Sequence, residues 1–274
     1  MESVFFLHIT DIHINKADKQ PLFGLNMADK LHSIFADIGK LEVKPAFVVI
    51  SGDLTHDGDT EDYRYLKNFL ETEARALGVP IHVALGNHDT REAFREGYLE
   101  EEPSDASYYY SFMSGGLRVV VLNTQVPGSH YGFVDADQLA WLKQLLAEPA
   151  PIGTILVHHH PVVLTPTAMM DSHLLQNPQE LAAAIEGSDV IGLLSGHIHF
   201  HNIGVLNGIP CASADGSAFG LDPMAEGCMR MLERSGFNYV LVKNRHMIVQ
   251  PMTMPGEQRV LAEYDLKKLQ AAHS

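Results

Sequence analysis

The 274-residue chain has only two cysteines, Cys211 and Cys228. That is too few for a disulfide framework, and the chain reads as a product of a reducing compartment. It has no apolar run near the roughly 18 residues of a membrane span. The apolar stretch 4–7 is too short for a signal-peptide core and leads at once into His8, Asp11 and His13. A soluble cytoplasmic protein with no membrane partner is therefore expected. Positive charge is scarce: 19 basic against 34 acidic residues give a formal net charge of −15. Binding to duplex nucleic acid rests on phosphate neutralisation, so this balance disfavours it. A small anionic substrate stays open, because bound dications invert the local field.

Repeats, low-complexity tracts and linkers are also lacking. What is present is a core-forming composition, 46% hydrophobic, arranged in alternating patterns. Residues 4–9, 46–50 and 81–85 read as buried strands. Between them lie helices, one capped by Asn26 and one running from Asp59 or Thr60 to about Leu77 before Gly78 and Pro80. This β-α-β-α-β order predicts an α/β protein with a mainly parallel sheet. The second half repeats it, with strands at 118–122, 152–157 and 190–194 and helices at 135–146 and 178–185. Asn207-Gly208 between residues 203–206 and 209–212 is a strong hairpin signal. A second hairpin is expected around 243–245. Residues 1–250 form one domain on this reading, with a Met-rich insertion at 214–236. Residues 251–274 form a tail that packs on the domain or at a dimer contact, with a helix near 266–272.

Five polar fragments stand after expected strands: Asp11-Ile12-His13, Gly52-Asp53, Gly86-Asn87-His88-Asp89, His159-His160-Pro161 and Gly196-His197-Ile198-His199. Open α/β sheets build their sites at such strand ends, so residues distant in sequence gather along one rim. Carboxylate, imidazole and carboxamide together suit first-row dications, and the absence of thiolates argues against a structural cysteine zinc site. Taken singly, Asp-x-His is more often a cap or turn, and Gly-Asn-His-Asp is a good turn on composition alone. Five in series point to two adjacent metal ions. The residues themselves leave open which of His158, His159 and His160 takes part.

On these five blocks the chain resembles the calcineurin-like metallophosphoesterase superfamily over residues 4–202. Within it the chain is most similar to class III cyclic-nucleotide phosphodiesterases and bacterial glycerophosphodiesterases, notably at Asp53-Leu54-Thr55-His56-Asp57-Gly58. The resemblance implies a four-layer α/β/β/α sandwich and two divalent ions (Fe, Mn, Zn or Co). One ion would be held by Asp11, His13, Asp53 and His199, and the other by Asp53, Asn87, His159 and His197. His88 would be catalytic with Asp89 orienting it; His56 and His201, read from their place beside ligand motifs, either line the substrate pocket or are ordinary loop polar residues. The implied reaction is hydrolysis of a small phosphodiester by hydroxide activated by the metal pair, with cyclic nucleotide ahead of glycerophosphodiester. A phosphomonoesterase and a non-catalytic metal-binding scaffold are the other readings, and a homodimer is compatible with the resemblance.

Overall fold

A computed structural model describes residues 3–268. The first half is β1 (Ser3–Ile9), α1 (Met27–Ile38), β2 (Val48–Ser51), α2 (Thr60–Leu77) and β3 (Ile81–Ala84), with the three strands parallel. Successive side chains alternate faces. Val4 and Phe6 of β1, with Phe47 just before β2 and Val49 within it, face the middle of the molecule. Leu7, Ile9, Val48 and Ile50 face α1 and α2 instead. Both faces are covered, which is why these strands read as unbroken apolar runs. Helix α1 starts where the Asn26 side chain accepts from the Ala28 and Asp29 amides, and α2 stops at Gly78 in the left-handed conformation.

A short helix α3 (Arg91–Phe94), widened into a π turn over Arg95–Leu99, carries the chain to a second sheet. This contains β4 (Tyr110–Ser114), β5 (Leu117–Val121), β6 (Thr154–Val157), β7 (Val190–Ser195), β8 (Asn202–Leu206) and β9 (Ile209–Ser213), with α4 (Ala136–Leu146) and α5 (Pro178–Ile185) between strands. The strand order is β4-β5-β6-β7-β9-β8, and β5, β6, β7 and β9 run parallel. Leu142, Leu146, Leu181 and Ile185 pack the helices on its outer face. Val119, Val121, Ile155, Val157 and Leu194 meet the first sheet on the inner one. The four layers expected from the resemblance are present, and no helix among the described residues is long and apolar enough to cross a membrane.

Beyond residue 214 the structure departs from expectation. After β10 (Gly220–Leu221) and β11 (Cys228–Leu232), strand β12 (Gly236–Lys243) inserts antiparallel beside β1. Strand β13 (His246–Thr253) then forms the outer edge of that sheet, so the boundary drawn at 250 falls inside it. The turn between them is the two residues Asn244-Arg245, both at positive φ, rather than three. Strand β14 (Val260–Asp265) pairs with β11, and the Met-rich segment and the tail together make a third sheet, β10-β11-β14. Residues 266–268 are helical, and the rest of the expected terminal helix lies outside the described residues.

His82 of β3 stacks on Phe112 of β4 with ring centroids 3.6 Å apart. Burial pushes its pKa down to about 4. The unfolded chain therefore binds a proton here below the usual histidine range that the folded chain refuses, so stability is lost as pH falls from 6.5 toward 4. Unfolding by denaturant at pH 7 and pH 5 should show His82→Phe losing less stability than wild type. The expected difference is about 1 kcal/mol once solvent screening of a half-buried ring is allowed for. Equal losses in the two proteins would exclude His82 as the titrating group.

Candidate metal centre

The parallel strands of both sheets end at one rim. Asp11 and His13 follow β1, Asp53 follows β2, Asn87 follows β3, His159 follows β6 and His197 follows β7. Asp11, His13, Asp53, His197 and His199 all sit at positive φ, between 43° and 72°. For non-glycine residues this conformation is costly, of order 1–3 kcal/mol each, and it persists only where the surroundings impose it. Here backbone bonds impose it: the amides of Asp11 and His13 donate to the Gly52 and Asp53 carbonyls, and the Ala218 amide donates to the Asp11 carbonyl.

The result is a buried cluster of facing donors. Asp53 Oδ2 lies 3.5 Å from His13 Nε2, and its Oδ1 lies 3.4 Å from His159 Nε2. His199 Nε2 is 3.3 Å from both Asp11 Oδ1 and His13 Nε2. His159 Nε2 is also 3.1 Å from Asn87 Oδ1. The ligand-type atoms of Asp11, His13, Asp53 and His199 all lie within 4.8 Å of one another, and so do those of His159, His160 and His197. Asp53 touches both groups. His199 Nδ1 and His159 Nδ1 each sit 2.8 Å from a carbonyl, those of Phe219 and Ser51, so each ring holds its Nε2 lone pair toward the cluster.

The three histidines of the run make different contacts. His158 Nδ1 bonds the His160 carbonyl, and His160 Nδ1 bonds Thr124 Oγ1. Of the three, His159 alone approaches Asp53. The electrostatics fit a cation site. Burial holds the His13 and His197 rings well below the usual histidine range, leaving them neutral. Burial also opposes charge on His159, but Asp53 and Asp11 outweigh it and lift that ring to about 9, marking a spot where positive charge is favoured. Neutral imidazoles and ionised carboxylates are what a dication needs. The donor set suits two such ions, and Asp53 lies where both could share it.

Two placements differ from expectation. Asp89 does not meet the His88 ring; its carboxylate accepts from the Leu54, Thr55 and Gly86 amides and from Tyr63 Oη, tying the Asp53 loop to the Asn87 loop. The His88 ring instead bonds the His56 carbonyl through Nδ1 at 2.9 Å. His201 is not brought to the cleft: it lines a separate cavity with Asp215 and Arg234, because the left-handed turn at His199 breaks the alternation of side chains. His56 does line the cleft, its ring stacked 5.0 Å from that of His88. Sequence reasoning missed His130 and His173, which also line it, with His130 Nδ1 3.2 Å from Asn87 Nδ2. Both stand in segments without a motif, so nothing local marks them. Arg234 was missed too; it bonds Asp215 and the carbonyls of Leu221 and His199, bracing the His199 turn.

Residues 6–201 match the profile of the calcineurin-like phosphoesterase family. The chain belongs to that family. A cAMP/cGMP dual specificity phosphodiesterase of Mycobacterium tuberculosis is 35% identical over 216 residues, 79% of this chain and 68% of that one. A probable glycerophosphodiester phosphodiesterase of Arcobacter nitrofigilis is 27% identical, covering 70% of this chain and 71% of its own length. Among solved structures, a dimetal phosphatase from Danio rerio aligns with a TM-score of 0.61 at 17% identity, over 92% of this chain and 99% of the other. At that identity the likeness concerns the fold. As in other calcineurin-like phosphoesterases, two divalent metals are the cofactors, and the cluster described above is able to hold them.

Gly196 permits the closest approach in the centre. A Cβ there would overlap Thr10 Oγ1 and lie 2.7 Å from Asp11 Oδ2. Gly196→Ala should therefore weaken Mn²⁺ binding about 10–100-fold, the range found when groups supporting metal ligands are disturbed, while far-UV circular dichroism is retained. An unchanged Mn²⁺ titration would show that the Asp11 carboxylate tolerates displacement.

Proposed function

We propose that this calcineurin-like phosphoesterase hydrolyses a small phosphodiester, with cyclic nucleotide favoured and glycerophosphodiester next. The observation that carries the reading is the Asp53 carboxylate, with one oxygen toward His13 and the other toward His159. One ion would be held by Asp11, His13, Asp53 and His199, the second by Asp53, Asn87, His159 and His197. When bound, the pair supplies water activated for attack at neutral pH and neutralises charge on the phosphoryl group.

The remaining work falls to the chain. His88 lines the cleft, half-buried beside His13 with ring centroids 4.8 Å apart. Its amide donates to Asp53 Oδ1 at 2.9 Å and its Nδ1 to the His56 carbonyl, which leaves Nε2 as the free edge of the ring. Burial disfavours its charged form, yet the Asp53 carboxylate and the His56 carbonyl outweigh that and raise its pKa. An imidazolium so placed donates a hydrogen bond to a phosphoryl oxygen or a proton to the leaving alkoxide. Asp89 acts as a positioning residue for the loops carrying Asp53 and Asn87. The relatives named as phosphodiesterases, one for cyclic nucleotides and one for glycerophosphodiesters, support the substrate class.

With Mn²⁺ reconstituted, the protein should cleave 3′,5′-cyclic AMP, glycerophosphoethanolamine and bis(p-nitrophenyl) phosphate in preference to p-nitrophenyl phosphate. His88→Ala should lower kcat by about 10²–10³. A tenfold preference for the monoester would overturn the phosphodiesterase reading. Equal inertness of wild type and His88→Ala on every ester would favour the scaffold.

A further inference from the structure

The cleft over the metal centre holds about 400 Å³ and has two walls of different chemistry. The imidazoles of the centre, with Asn87, form one. The other is built by the third sheet, outside the five motifs. In antiparallel ladders, residues directly opposite one another project from the same face. Leu221 of β10 pairs with Met231 of β11, and Met229 pairs with Tyr264 of β14. All four line the cleft. Phe219, stacked on the His199 ring at 4.2 Å, continues this wall down to the centre.

The wall is apolar but not closed. Met229 and Met231 are half-buried and Tyr264 is 42% exposed, so they present an open face rather than a finished core. Thioethers and aromatic rings of this kind favour a flat π-system, through sulfur–aromatic and ring–ring contacts. The glycerol and ethanolamine parts of a glycerophosphodiester have no such face and would not stack on it. A nucleobase would.

We infer that the β10-β11-β14 sheet is a base platform, and that Tyr264 and Met229 set the preference for a cyclic nucleotide over a glycerophosphodiester. This rests on the phosphodiesterase function proposed above. It also gives the C-terminal strand a role in substrate choice: Tyr264 reaches the cleft because β14 pairs with a strand more than thirty residues earlier in the chain.

The test compares kcat/KM for 3′,5′-cyclic AMP with that for glycerophosphoethanolamine, using the Mn²⁺ enzyme. In Tyr264→Ala the ratio should fall about tenfold, the scale of one base–aromatic contact, chiefly through KM for cyclic AMP. Tyr264→Phe should restore it. Met229→Ala, well inside the chain, should move the ratio the same way, which guards against a Tyr264 variant that merely loosens the terminus. An unchanged ratio in both alanine variants, each with a wild-type thermal melt, overturns the platform. So does a Tyr264→Ala protein whose sedimentation coefficient drops, since the wall would then be a subunit contact. A wild-type enzyme that cleaves neither ester overturns the phosphodiesterase function itself, an outcome distinct from loss of selectivity.

Discussion

The structure depends on keeping one carboxylate, that of Asp53, buried between two sets of imidazoles. Burial alone would drive its proton back on. The histidines around it, His159 foremost, instead hold its pKa well below the carboxylate range. Such a group needs partners on both sides or a cation, because an unpaired buried charge is among the costliest features a fold can carry. The two sheets meet at a shared rim so that His13 approaches from one and His159 from the other. Neither sheet could satisfy Asp53 alone.

The surrounding backbone reflects that demand. Five residues of the cluster are in the left-handed region, and bonds between the loops that follow β1 and β2 hold the first three there. The Ile14 amide also donates to the Leu54 carbonyl, so the two loops run on as a distorted extension of the sheet. Asp89 ties the Asp53 loop to the Asn87 loop, and Arg234 ties the His199 turn to Asp215. Neither Asp89 nor Arg234 needs to touch substrate. Both keep strained segments from relaxing, and so preserve the spacing on which hydrolysis depends.

The third sheet stands apart in its chemistry. The metal rim is hydrogen-bonded and buried, whereas the β10-β11-β14 wall is apolar, Met-rich and half-open. Ile198, between His197 and His199, packs into a small cluster with Met170, Leu174, Phe200 and Leu221, against which Met229 and Met231 lie. The turn bearing two of the histidines therefore rests on the same sheet that we assign to substrate choice. Catalytic and selective surfaces share a foundation, yet they come from different parts of the chain.

Local periodicity, turn chemistry and spacing made the parallel strands of both sheets, the hairpin at Asn207-Gly208, the helix caps and the five polar fragments legible from the sequence alone. Their position after strands was enough to gather Asp11, Asp53, Asn87, His197 and the histidine run on one rim. Tertiary structure decided what local pattern does not encode. His201 turns away because a left-handed turn upsets the two-residue alternation, and Asp89 finds amides from another loop rather than its neighbour's ring. His130 and His173 enter the cleft from segments without a signature. The tail becomes a strand because β11 offers it an edge, and that pairing is set by contacts across the fold, not by the tail's own residues.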